Sequence, residues 1–190
     1  RNGNILINTP PVISIYNTQE QSWAHFTSNF EYDATVQDVR IPVLEATSGN
    51  IWVGSTGGLA VFSPKSEDFV YATFSNGGSL SHSEENITAL FQDKTGKVWA
   101  GTSTGLYRGE QGSTEFEEMN FPLVSGEDFK FETCVRSILQ DKNDNLIIGT
   151  EGSGVYFISP TGNSKFSIRN LTQENSGIGH DIVQPMLIDK

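Results

Sequence analysis

The sequence predicts an all-β protein made of β-propeller blades, each a four-stranded antiparallel sheet, because three observations agree. An apolar motif next to a glycine returns four times along the 190 residues. Four strand candidates recur within each interval between copies. The 19 glycines, 12 phenylalanines and 18% charged residues suit many short strands joined by tight turns. We therefore predict one partial propeller over residues 1–190, with about four blades.

The most regular motif marks one strand of every predicted blade. Its copies lie near residues 3–9, 49–55, 96–102 and 144–150. Counted between the equivalent residues Ile5, Ile51, Val98 and Leu146, the intervals are 46, 47 and 48 residues. Intervals of this length are typical of propeller blades.

A second apolar strand precedes the motif, and an aspartate ends it. These segments are 87–93, 135–141 and 183–189, so the aspartates are Asp93, Asp141 and Asp189. A short carboxylate at a strand end can accept hydrogen bonds from turn amides, and a glycine just after it permits a positive φ. We predict a hairpin turn at each of these places.

The remaining strands follow the motif in order. A glycine opens a short apolar strand after each of the later copies, and an aromatic stretch comes next, at 23–26, 69–74, 116–121 and 166–168. We interpret Trp52 and Trp99 as packing between blades, and the motif glycines as room for close approach. The repeat positions with a predicted structural role are Asp93, Asp141, Asp189, Gly49, Gly96, Trp52, Trp99, Gly54, Gly101, Gly149, Thr102, Thr150, Gly58, Gly105 and Gly154.

The segment from Asp93 to Arg108 resembles the two-component regulator propeller repeat, whose pattern is an apolar strand, Asp, a turn glycine, apolar-Trp-apolar-Gly-Thr and Gly-Leu. The resemblance covers essentially the whole chain, with departures in the other copies. The copy near 49–55 has Ala46 in place of the aspartate and Ser55 in place of the threonine. The copy near 144–150 has Ile147 in place of the tryptophan and one extra residue before Gly154. The copy near 3–9 has Asn8 and Val12 in place of glycines.

This resemblance implies the extracytoplasmic sensor region of a bacterial hybrid two-component histidine kinase, in the periplasm. In such proteins the propellers, usually seven-bladed, commonly sense oligosaccharides, and the kinase lies elsewhere in the chain. The implied function is non-catalytic ligand sensing. The alternatives are part of a propeller enzyme of the lyase or hydrolase type, and a protein-interaction scaffold.

Composition and motifs disfavour several kinds of partner and site. The formal charge of −11 disfavours nucleic acid and anionic membranes as partners. The sequence contains no Gly-x-Ser-x-Gly elbow and no metal-type spacing of His, Asp and Glu, so we predict no catalytic residue, metal or cofactor. Cys134 is interpreted as a small buried residue. His82 and His180 share a repeat position and are interpreted as loop residues.

Ligand recognition is expected in the loops that do not repeat, at 17–22, 63–67, 109–114 and 122–129. The first residues, 1–4, and the last, 189–190, fall at the same phase of the repeat. This coincidence favours a piece of a longer chain. The alternative is a propeller ring closed by this chain alone or by two copies of it. An open row of blades exposes its end faces. We therefore expect the remaining blades or a second copy of the chain as partner.

Overall fold

The computed structural model describes residues 4–9, 12–27, 41–75, 80–81, 86–183 and 185–188. Four antiparallel sheets follow one another along the chain, and each is called a blade here. The first blade contains β1 (Ile5–Thr9), β2 (Val12–Asn17) and β3 (Ser22–Thr27). The second contains β4 (Val43–Glu45), β5 (Ile51–Ser55), β6 (Gly58–Ser63) and β7 (Asp68–Tyr71).

The later blades repeat this order. The third blade contains β10 (Ile87–Gln92), β11 (Val98–Thr102), β12 (Leu106–Gly109) and β13 (Glu115–Glu118). The fourth contains β16 (Val135–Gln140), β17 (Leu146–Thr150), β18 (Val155–Gly162) and β19 (Lys165–Leu171). The prediction of an all-β protein with four-stranded antiparallel blades is therefore confirmed in the second to fourth blades, although two further strands extend the sheet of the third, and the first blade is described over three strands.

Short strands between blades extend this pattern. The linker strand β8 (Thr73–Ser75) pairs in parallel with β13 of the third blade and antiparallel with β9 (Leu80–Ser81). A second linker forms the hairpin of β14 (Phe121–Pro122) and β15 (Asp128–Phe129), and Leu123 bridges in parallel to Phe166 of the fourth blade. Each linker thus lies along the outer strand of the blade that it enters.

This arrangement divides two of the four aromatic stretches that the sequence suggests as single strands, 69–74 and 116–121. In the second stretch, β7 ends at Tyr71 and β8 begins at Thr73, on a different sheet. Phe74 is buried between the second and third blades and stacks on Phe116, with ring centroids 5.4 Å apart. The linker therefore contributes buried aromatic surface to the next blade.

The core consists of three apolar clusters, each between consecutive blades. One contains Ile13 and Ile51, the next contains Trp52 and Val98, and the last contains Trp99 and Leu146. Every residue of β5 and of β11 is buried, because neighbouring blades cover both faces of those sheets. In β17 only Ile147 is partly exposed. It lies on the face directed away from the third blade.

Two features outside the blades complete the description. The helix α1 (Gln173–Ser176) is a single turn that the all-β prediction does not include. Thr172 caps it, accepting a hydrogen bond from the Asn175 amide, and Gly177 ends it with a φ of 74°. The chain then returns to the fourth blade, where the Val183 amide donates to the Thr150 carbonyl at 2.9 Å.

Candidate functional site

The turn between the first and second strands of the third blade is organised by Asp93. Its Oδ1 accepts hydrogen bonds from the Thr95 amide at 2.9 Å, the Thr95 hydroxyl at 2.7 Å and the Lys97 amide at 3.1 Å. Its Oδ2 accepts from the indole Nε1 of Trp99 at 2.9 Å. Burial raises the pKa of this carboxyl, but the bonds from Thr95, Trp99 and Lys97 outweigh it, so the pKa lies below its ordinary value.

The fourth blade builds the same turn with different partners. Asp141 accepts from the amides of Asn143 and Asn145 at 2.8 and 2.9 Å. Its second oxygen accepts from the Asn145 side chain at 2.8 Å, where the third blade uses a tryptophan. The turn glycines Gly49 and Gly96 have φ values of 86° and 89°. Asp144, which takes the place of the glycine in the turn of the fourth blade, has a φ of 66°. All three turns therefore share the left-handed residue that a tight reversal needs.

Removal of the Asp93 carboxylate is expected to destabilise the protein more than removal of Asp141. Asp93→Ala leaves the Trp99 indole N–H without its acceptor, so we expect a loss of about 2 kcal/mol in unfolding free energy, and about 1 kcal/mol for Asp141→Ala. Urea denaturation at pH 7 measures both. Because the folded pKa of Asp93 is depressed, its contribution is complete above about pH 4 and is lost as the pH falls through the folded value. Equal losses for the two variants would contradict this assignment.

Gln92 and Gln140 end the first strands of the third and fourth blades, and each accepts a hydrogen bond from the turn of the preceding blade. The Thr47 amide of the second blade donates to Gln92 Oε1 at 2.8 Å, and the Lys94 amide of the third donates to Gln140 Oε1 at 3.0 Å. Gln92 also donates through Nε2 to the Gly96 carbonyl at 3.0 Å. The sequence interpretation missed these bonds, although a glutamine directly precedes both Asp93 and Asp141 and could have indicated them.

A hydroxyl at the end of each second strand stabilises the turn that follows. Ser55, Thr102 and Thr150 donate to the carbonyls of Gly58, Gly105 and Gly154 at 3.2, 3.3 and 2.9 Å. The same hydroxyls accept from turn amides, such as that of Gly105 to Thr102 at 2.9 Å. The three glycines lead into the third strands. These predicted repeat positions thus lie in the scaffold.

The motif glycines lie where the next blade approaches. A Cβ on Gly54 would be 2.6 Å from Ile87 Cγ2 and one on Gly101 2.7 Å from Val135 Cγ1, both on the first strand of the next blade. One on Gly149 would instead meet Ser137 Oγ of its own blade first and lie 2.8 Å from Val183 Cγ1, in the segment after α1. The two tryptophans are buried in the same interfaces. Trp52 meets Phe116 edge to face at 5.4 Å, and the Arg108 guanidinium lies 5.6 Å from the centre of the Trp99 ring.

Besides one of about 330 Å³ whose lining includes the charged Asp93 and Lys94, two cavities lie between blades on the turn side, defined here as the side carrying turns 46–50, 93–97 and 141–145. One of about 250 Å³ separates the first and second blades and is lined by Leu6, Ile15 and Glu45. The other, of about 280 Å³, separates the second and third blades beside Ala46 and Trp52. Ala46 stands where the other two turns carry aspartate. The second cavity is the candidate ligand site, and Gln111 to Thr114 of a non-repeating loop form part of its rim.

The opposite side carries the charged pair Arg136–Glu151 and the single cysteine. The Glu151 amide donates to the Cys134 carbonyl at 2.9 Å. Burial and the neighbouring Glu151 carboxylate raise the pKa of the Cys134 thiol. The thiol is therefore protonated near neutral pH and is a poor nucleophile.

The two histidines that the structure describes have local partners. His25 shares a hydrogen bond with Ser14 at 2.9 Å and stacks on Trp23, and His180 Nδ1 accepts from the Ile182 amide at 2.9 Å. His82 and Asp189 lie outside the described residues. Among the residues that are described, no group of three or more His, Cys, Asp or Glu is arranged to hold a metal ion. Within the same ranges, no helix is long and apolar enough to cross a bilayer.

Comparison with known proteins gives matches to regulator sequences. Residues 81–104 match the family model described as two component regulator propeller. Histidine kinase P4 of Formosa agariphila is 32% identical over 76 residues, which is 38% of this chain and 5% of the kinase. This chain therefore corresponds to a small part of that relative.

Solved structures share the fold over almost the whole chain. The extracellular domain of a putative hybrid two component system from B. thetaiotaomicron aligns with 100% of this chain and 24% of its own, at a TM-score of 0.69 and 18% identity. PorZ, a surface component of the type-IX secretion system of Porphyromonas gingivalis, aligns with 95% of this chain and 27% of its own, at a TM-score of 0.72 and 22% identity. The chain is thus similar to two-component regulator propellers in one repeat of its sequence, and to these solved structures in its fold.

Proposed function

We propose that these residues form part of the ligand-sensing region of a two-component regulator, which recognises an oligosaccharide and passes the signal to a kinase outside them. The observation that carries the proposal is the 32% identical stretch shared with a histidine kinase, together with the regulator-type repeat. We place the region outside the cytoplasm, which is supported by its likeness to the extracellular domain of a hybrid system.

The geometry supports binding rather than catalysis. The recurring aspartates, glycines and hydroxyls are engaged in turns and blade contacts, so recognition falls to positions that differ between blades. PorZ, a component of the type-IX secretion system, has the same fold. Fold alone therefore does not assign the role.

Calorimetry with neutral and acidic oligosaccharides, combined with chromatography of the recovered saccharides, tests this function. We expect saturable binding of at least one oligosaccharide with its chain length unchanged. Shortened or unsaturated products would identify an enzyme instead. Absence of binding across the whole panel would contradict oligosaccharide sensing.

A partner surface is also proposed, on the exposed face of the first blade. Ile5 and Ile7 are 51% and 41% exposed there. The equivalent pairs in the later blades are at most 6% exposed, because the preceding blade covers them; they are Ile51 and Val53, Val98 and Ala100, Leu146 and Ile148. We propose that a second copy of the chain covers Ile5 and Ile7 with its fourth blade, through the face that carries Ile147 and Phe157.

Sedimentation velocity over a range of concentrations tests this contact. We expect the wild-type chain to associate as concentration rises, and Ile7→Lys to weaken the association because a lysine would be buried without a partner. Val70→Lys, at an exposed position of the second blade, is the matched control. A monodisperse monomer at every concentration would overturn the proposal.

A further inference from the structure

The cavity between the second and third blades combines an apolar floor with a neutral polar rim. Its floor is formed by Trp52, Val61 and Val98, all buried. Asn50, Gln111 and Thr114 contribute amide and hydroxyl groups to its wall. Its volume of about 280 Å³ is close to the lower end of ligand pockets.

The cavity exists because one side chain of the repeat is absent. The Ala46 amide donates to the Asn50 carbonyl at 2.8 Å and the Gly49 amide to the Ala46 carbonyl at 2.9 Å, which is the backbone pattern of the turn at Asp93. The two turns therefore differ chiefly in the missing carboxylate. In the third blade that carboxylate accepts from the tryptophan indole. In the second blade, Nε1 of Trp52 has no hydrogen-bond partner among the described residues.

The hydrogen-bonding groups that remain available in the cavity are all uncharged. Gln92 is a wall residue rather than a recognition group, because its Oε1 and Nε2 are both engaged within the protein. The side chains of Asn50, Gln111 and Thr114 have no internal partner in the described structure. Together with the Trp52 N–H they supply donors and acceptors around an apolar floor. This combination matches a sugar ring, whose C–H surface is apolar and whose edge carries hydroxyls.

We infer that this cavity binds one neutral pyranose unit of a saccharide, with Trp52 Nε1 donating to a sugar oxygen. The inference rests on the proposed function and specifies where and what the region recognises. Neutral sugars are favoured over uronic or sulfated ones because none of the described residues lining the cavity is charged. An anionic sugar would lose its hydration in the cavity without gaining a counter-charge, which is unfavourable. The formal charge of −11 on the protein would also repel it.

The three tryptophans make the site observable. In a ¹H–¹⁵N spectrum the chain gives one indole signal each for Trp23, Trp52 and Trp99, assigned by Trp→Phe variants. The probes are D-glucose, D-galactose and N-acetyl-D-glucosamine, with D-glucuronate as the charged comparison. We expect at least one neutral sugar to shift the Trp52 signal saturably. The Trp99 signal, whose N–H is bonded to Asp93, is the internal control and should stay in place.

Ala46→Asp provides a variant that separates binding from folding. The new carboxylate would accept from the amides of Ser48 and Asn50 and from Trp52 Nε1, as Asp93 does in its own turn. We expect the melting temperature to rise by about 2–4 °C, since hydrogen bonds are added without a new cavity. Sugar binding should weaken by at least about tenfold, because the carboxylate occupies the donor and the space.

The outcomes separate this inference from the proposed function. A neutral sugar or oligosaccharide that binds Ala46→Asp as tightly as the wild type, or moves another indole and leaves Trp52 unchanged, overturns the cavity assignment while oligosaccharide sensing stands. Preference for D-glucuronate at Trp52 overturns the neutral-sugar assignment alone. No saccharide binding by the wild type, with Ala46→Asp stabilised as expected, overturns both.

Discussion

Phe116→Ala is expected to lower the free energy of unfolding by about 3–5 kcal/mol, measured by urea denaturation. Phe116 is fully buried between the second and third blades. It meets Trp52 edge to face and stacks on Phe74, both with centroids 5.4 Å apart. It also fills the space over Gly109, where a Cβ would lie 2.9 Å from its ring. Truncation therefore leaves a cavity that two rigid rings cannot close.

Val70→Ala is the control for this effect. Val70 is on the corresponding outer strand of the second blade, but it is 51% exposed, so we expect a change within about 0.5 kcal/mol. Phe116→Leu should fall between the two, because it retains part of the buried surface. A loss below about 1 kcal/mol for Phe116→Ala would show that the interface does not depend on this ring.

Gly101→Ala is expected to cost about 2–3 kcal/mol through crowding between the third and fourth blades. The added methyl would lie 2.7 Å from Val135 Cγ1 and 2.8 Å from the Val135 carbonyl oxygen. That carbonyl accepts a hydrogen bond from the Thr88 hydroxyl at 2.6 Å, so moving the strand to relieve the contact would disturb this bond as well. The melting temperature should therefore fall by several degrees.

Gly179→Ala is the matched substitution without crowding. No atom lies within 4 Å of the position a Cβ would take there. We expect its unfolding free energy to stay within about 0.5 kcal/mol of the wild type. If the two variants melted at the same temperature, Gly101 would not be required for the close approach of the blades.

Much of each blade could be predicted because its determinants are local. Asp93 and Gly96 form their turn with residues at most six positions away, and the apolar runs that follow read directly as strands. The four registered copies gave the order of the strands and the likeness to a regulator repeat. That the chain belongs to a larger propeller stays a prediction.

The candidate site depends on contacts between residues far apart in the sequence, which no local sequence pattern predicts. Ala46 appears in the sequence only as a missing aspartate, and its consequence becomes visible when Trp52 and the loop at Gln111 are brought to the same cavity. The parallel pairing of β8 with β13 is similar, since Thr73 and Glu115 belong to different blades. Sequence reasoning named the loop 109–114 as a place for recognition without indicating what it would face.

By itself, the sequence determined the period, the strand order and the turns, because these depend on hydrogen bonds and side-chain patterns within a few residues. The tertiary structure decided which surfaces meet. Gln140 and Lys94 are 46 positions apart, and their bond forms only when consecutive blades pack. The same packing buries Trp99 against a carboxylate and leaves Trp52 beside an uncharged cavity. A difference of one side chain between two copies thus becomes a candidate binding site only through the contact between blades.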